Sequence, residues 1–92
     1  MPKPHVFVTA ELPGEGIKRL AEMADLDVWA GAAPPREAEL HARVNGCAGL
    51  ILTINERVDA ALLAAAPELR VVATMGVGYD NIDAAACSAR GV

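Results

Sequence analysis

The sequence predicts an α/β fold: a parallel sheet with helices on both faces. Three observations carry this. Four short strand-like runs alternate with four helix-like runs, which is the signature of βαβ units. The third strand-like run is continuously apolar, as a strand covered on both sides requires. Helix caps and stops fall at the boundaries between the runs.

His5 to Thr9 is a β-branched and aromatic run, read as the first strand. Pro13 and Gly14 punctuate it. From Glu15 to Met23 a helix places Ile17, Leu20, Ala21 and Ala24 on one face. Asp25 to Ala30 reads as the second strand and Gly31 to Pro35 as a loop. Pro35 suits the first turn of a helix running Arg36 to Val44. Asn45-Gly46 is a helix stop. Cys47 to Thr53 is the third strand. Asp59 is an N-cap for Ala60 to Ala66, with Pro67 beyond. Arg70 to Met75 is the fourth strand, Asp83 caps a helix over Ala84 to Arg90, and Gly91 stops it. Val92 reads as the opening of a fifth strand.

Composition narrows the function classes. The 92 residues are 53% apolar and 22% charged, the profile of a globular domain. No apolar run approaches the roughly 20 residues of a spanning helix, so no membrane role is expected. A net charge of −4 without a Lys/Arg cluster argues against nucleic acid as a partner. Cys47 and Cys87 lie far apart without metal-ligand spacing and read as buried small hydrophobes. With no signal peptide, a cytoplasmic location is expected.

Ligands of an open parallel sheet bind beyond the carboxyl ends of its strands. Four segments lie there: Thr9 to Leu12, Ala30-Gly31, Thr53 to Glu56 and Met75 to Asn81. In the last, Gly76 and Gly78 flank Val77 directly after a strand. They fit either of two uses: a tight turn, or a nest of free amides that takes a carboxylate or phosphate. The run G-x-G-x-x-N is not a dinucleotide fingerprint, because Asn81 stands where the third glycine belongs. No Gly-Lys-Ser/Thr follows, so it is not a P-loop either. His5 and His41 read as solvated, Asp83 as a cap, Asp80 as a turn residue, and Trp29 as an apolar anchor at a strand end. A receiver domain would share the fold, but it needs acidic residues after the third strand, where Thr53-Ile54-Asn55 stand.

Val6 to Thr9, Leu12-Pro13, Gly16-Ile17, Ala48 to Leu52, Val58-Asp59, Ala65 to Ala73 and above all Val77 to Asp83 (Val-Gly-Tyr-Asp-Asn-Ile-Asp) resemble the start of the D-isomer-specific 2-hydroxyacid dehydrogenases. The nearest likeness is to the glyoxylate/hydroxypyruvate reductases, and it runs the length of the chain. The resemblance implies a flavodoxin-like sheet of order 2-1-3-4 with a fifth strand missing and the fourth left as an exposed edge. It implies that residues 1–92 are the leading, truncated part of the substrate-binding (catalytic) domain. The Rossmann domain that holds NAD or NADP, and the catalytic Arg, acid and His, have no counterpart here. The small 2-oxo or 2-hydroxy acid would be gripped through its carboxylate by backbone amides of Gly76, Val77 and Gly78, with Thr53 and Ile54 lining the same pocket. Gly76 departs from the Ser or Ala common in the family. The full-length family typically forms homodimers. The alternative is a non-enzymatic flavodoxin-like module that binds a small carboxylate or a partner protein.

Overall fold

A computed structural model describes residues 3–11, 14–31, 33–53, 55–75 and 80–92. Strand and helix alternate throughout: β1 (His5–Val8), α1 (Glu15–Met23), β2 (Asp25–Val28), α2 (Glu37–Val44), β3 (Gly49–Leu52), α3 (Ala60–Ala65), β4 (Val71–Thr74) and α4 (Ala84–Ala89). The strands form one sheet of order β2-β1-β3-β4, parallel at every pairing. This is the expected order, with β4 at an edge. From β1 the chain first steps outward to β2. It then returns past β1 to lay β3 on the other side. Connections therefore diverge between β1 and β3, which makes their carboxyl ends the topological switch point, the usual ligand crevice of such sheets.

The pleat of β1 sorts the core into two layers. Phe7 faces α2, α3 and α4 and packs with Leu40, Val44, Leu50, Leu52, Leu62, Leu63 and Cys87. Val6 and Val8 face the opposite way, toward Ala24 and the half-buried Leu20, Leu26 and Ile51 beside α1. Among the described residues, helices thus cover both faces, three on one and one on the other. Coverage on the α1 side is light. No residue of α1 is buried, and Met23 and Val71 are 66% and 58% exposed. β3 is buried at Gly49, Leu50 and Leu52 as its apolar run demands, whereas in β4 Val72 packs against the larger core layer and Val71 and Ala73 stand exposed on the opposite face. The Cα radius of gyration, 12.4 Å, matches the roughly 12 Å of a packed domain of this length.

The caps act as the sequence predicts. Asp59 Oδ1 accepts the amide of Leu62 at 2.9 Å, and Asp83 Oδ1 accepts that of Ala86 at 3.0 Å. Gly46 follows α2 with φ +84°, a conformation that favours glycine. Three expectations need correction. Pro35 precedes α2 instead of forming its first turn: Arg36 is the N-cap, and Pro35 is buried. The strands are shorter than their apolar runs, because Cys47 N–H still serves the end of α2, bonding Val44 O at 3.0 Å. Beyond β2, Trp29 N–H bonds Val8 O at 2.8 Å, and its indole then donates to Ala33 O at 2.8 Å as the chain turns away. Gly91, at φ +74°, donates to Ser88 O, and Val92 N–H reaches Cys87 O at 2.9 Å, closing α4 with a Schellman cap while Val92 packs on the core.

Candidate functional site at the carboxyl ends of β1, β3 and β4

Thr9 and Thr53 are the first residues past β1 and β3. Thr9 N–H continues the ladder to Ile51 O at 3.0 Å, and Met75 N–H continues it to Leu52 O at 2.9 Å. The ends of the three strands are therefore held level, and the loops leave from one rim. Between Thr9 and Thr53 sits Glu56, 4% exposed, on the turn that leads toward α3. Its Oε1 accepts three hydrogen bonds: from Thr9 Oγ1, from Thr53 N at 2.9 Å and from Thr53 Oγ1 at 3.0 Å. Thr53 Oγ1 in turn accepts from Asn55, through both its backbone N–H and its Nδ2, at 3.2 Å each. A carboxyl group removed from water is tolerable only with such partners, and no buried side-chain N or O among the described residues lacks one.

The loop after β4 is tied to the same group. Asn81 Nδ2 donates to Thr53 O at 3.0 Å and to Glu56 O at 2.7 Å. Beside it the backbone forms a parallel bridge between Val58 and Ile82, with Val58 N–H on Asn81 O at 2.9 Å and Asp83 N–H on Val58 O at 2.8 Å. A shallow cavity of about 150 Å³ opens on this rim, lined by Thr9, Ala10, Gly31, Thr53, Asn55 and Glu56 among others.

Of the substrate residues expected from the sequence, Thr53 stands at this rim, half-buried and bonded on both its amide and its carbonyl. Ile54, Gly76, Val77 and Gly78 lie outside the described residues. Sequence alone does not single out Thr9, Glu56 and Asn81 as site residues. The available signal is a threonine directly after each of two strands that prove adjacent, with a glutamate three residues past the second. Trp29 is the expected anchor: half-buried on the core, its indole 5.4 Å from the Arg43 guanidinium, which bonds both carboxyl oxygens of Asp27 at 2.8 Å. His5 is exposed as expected, while His41 is half-buried, 3.9 Å from Glu37.

The remaining reactive groups are structural. Cys47 and Cys87 are buried free thiols. Burial, and then Asp27, push the Cys47 thiol above its usual 9.0, against a smaller downward pull from a backbone hydrogen bond with Phe7. Burial and Asp83 push Cys87 up as well. Neither is a thiolate at neutral pH, so neither is a nucleophile there. No cluster of His, Cys, Asp or Glu among the described residues could hold a metal ion, and none of their helices is long and apolar enough to cross a membrane. Asn81, at the position of a dinucleotide fingerprint's third glycine, has its side chain bonded to two carbonyls.

Comparison with known proteins agrees with this architecture. A family model described as the catalytic domain of D-isomer-specific 2-hydroxyacid dehydrogenases matches residues 6–92. A glyoxylate reductase of Korarchaeum cryptofilum is 42% identical over 90 residues, which is 98% of this chain and 27% of that protein. A crystal structure of a Thermus thermophilus protein superposes with a TM-score of 0.90 at 39% identity, covering 96% of this chain and 28% of that one. An NADPH-dependent glyoxylate/hydroxypyruvate reductase of Sinorhizobium meliloti, in complex with citrate, has a TM-score of 0.71 at 28% identity, over 98% of this chain and 27% of its own. The chain thus spans about a quarter of the length of the relatives it matches. With the sheet order, the switch-point rim and these matches in agreement, the chain belongs to the D-isomer-specific 2-hydroxyacid dehydrogenase family.

Proposed function

We propose that this chain is the substrate-gripping part of an NAD(P)-dependent oxidoreductase that interconverts D-2-hydroxy acids and 2-oxo acids, with glyoxylate or hydroxypyruvate as the 2-oxo acid. The observation that carries this is the similarity, over nearly the whole chain, to a glyoxylate reductase at 42% identity. The Sinorhizobium reductase supports an anionic guest, since it was crystallised with citrate and with malonate. In this proposal the amides of Gly76, Val77 and Gly78 hold the substrate carboxylate, and Thr53 and Ile54 line the pocket beside them. Amides suit the task, because hydrogen bonds to a charged group contribute roughly 1.5–3 kcal/mol each and fix its direction. Fixing the carboxylate fixes where the adjacent carbonyl carbon stands, and positioning of this kind supplies much of the rate of a two-substrate step.

The nicotinamide cofactor, NAD or NADP, supplies the hydride chemistry and is assigned to a domain outside this chain, together with the groups that handle the proton. Alone, the chain orients a substrate and turns nothing over. The test is a chimaera in which residues 1–92 replace the matching segment of the Korarchaeum reductase. It is expected to oxidise NADH or NADPH in the presence of glyoxylate. A folded chimaera that binds nucleotide yet reduces neither glyoxylate nor hydroxypyruvate would refute the proposal, and a carboxylate-binding module without an enzymatic role would replace it.

A further inference from the structure

We propose that Glu56 is a positioning residue for the 2-oxo acid: it pins Thr53 to the end of β1, in the place from which Thr53 lines the pocket. The inference rests on the substrate role assigned above to the loops at this rim.

Oε1 bonds hydroxyls on two separate strands' ends, Thr9 past β1 and Thr53 past β3, and so bridges the two strands at the point where a sheet of this order holds its ligand. The same atom takes the Thr53 amide. Asn81, on the loop that follows residues 76–79, takes the Thr53 carbonyl. Both peptide groups of Thr53 are therefore fixed, one by Glu56 and one by Asn81. The residue directly after Thr53 is Ile54, and the residues three to five before Asn81 are Gly76 to Gly78. Glu56 and Asn81 thus fix Thr53, the described residue assigned to the substrate, from two sides. A glutamate is long enough to reach back three residues to an amide and still meet a hydroxyl on the neighbouring strand. Without it, three donors at the rim lose their acceptor, and Thr53 loses its tie to the end of β1. A pocket assembled only part of the time binds more weakly in proportion to the time it is assembled.

The test uses the chimaera with Glu56→Ala, Glu56→Gln and Thr9→Val. Glutamine keeps the acceptor oxygen, and valine replaces threonine's hydroxyl at nearly constant shape. Glu56→Ala is expected to raise KM for glyoxylate about tenfold, with kcat and the nucleotide Kd moving less than about twofold. Glu56→Gln should restore most of the affinity, and Thr9→Val should fall between parent and Glu56→Ala. A residue that serves folding alone would lower Tm without this split. An unchanged KM in folded Glu56→Ala would overturn the inference while leaving the proposed function standing. Should Glu56→Ala not fold, an unchanged KM in Thr9→Val would overturn it equally. An inactive unmutated chimaera would refute the proposed function, and this inference with it.

Discussion

Asn81 carries a stability prediction that can be worked from the structure. Its Nδ2 makes two hydrogen bonds, to Thr53 O at 3.0 Å and Glu56 O at 2.7 Å. A neutral hydrogen bond contributes roughly 0.5–1.5 kcal/mol net, so Asn81→Ala should cost about 1–3 kcal/mol. The backbone bridge beside it survives the change, because Val58 bonds Asn81 and Asp83 through main-chain atoms only. The loss should therefore be confined to the side chain's share. For a domain of this size, about 2 kcal/mol corresponds to a Tm lower by roughly 8–16 °C, out of a total stability on the order of 5–15 kcal/mol. Asn81→Asp should cost more at pH 7, since it turns a carboxylate toward two carbonyl oxygens. Thermal and urea unfolding followed by circular dichroism measures both. An Asn81→Ala stability within about 0.5 kcal/mol of the parent would show that the backbone bridge alone joins the loops, and would refute the reasoning.

Other substitutions and conditions follow from the same physics. Phe7 is fully buried in the larger core layer, so Phe7→Ala should cost about 3–5 kcal/mol by urea unfolding and leave the chain close to unfolded. Asp59→Ala and Asp83→Ala each remove the acceptor of a helix-capping amide and should each cost about 1 kcal/mol, while the asparagine variants keep most of it. Both thiols are held above their usual 9.0 in the folded chain. Above pH 9 the unfolded chain therefore gives up these protons while the folded chain keeps them. Stability from this source is intact below pH 9 and is lost as pH rises through the folded values. Urea midpoints between pH 7 and 10.5 should fall at the alkaline end, and should fall less steeply in Cys47→Ala.

Much of the sheet is legible in the sequence because its signals are local. The β-branched run at Val6 to Val8, the apolar run ending at Leu52, and caps at Asp59 and Asp83 each determine an element without help from the rest of the fold. The strand ends are less legible. Cys47 and Trp29 extend apolar runs, yet the Cys47 amide goes to a helix end and the Trp29 indole to a turn. Gly91 and Val92 together satisfy the last carbonyls of α4, a pairing of chain groups that no single residue type announces. The rim cluster is the least legible part. Glu56, Thr9 and Asn81 lie on three different segments, and their meeting depends on β1 and β3 being neighbours, a property of sheet order that no local window contains. Glutamate in a loop reads as solvated, and only the fold shows it buried.

Everything proposed for the substrate depends on the amides of residues 76–78 holding its carboxylate. Steady-state kinetics of the chimaera carrying Gly78→Pro, beside a direct titration of NADH and NADPH, decides whether they do. Proline removes one N–H and fixes φ at about −65°. Losing one charge-assisted hydrogen bond costs roughly 1.5–3 kcal/mol, which corresponds to a loss of about tenfold to over a hundredfold in kcat/KM for glyoxylate and hydroxypyruvate. Nucleotide affinity should change far less. An unchanged kcat/KM in the folded variant, or a loss confined to nucleotide binding, would show that Gly76-Val77-Gly78 is only a turn and would contradict the assignment.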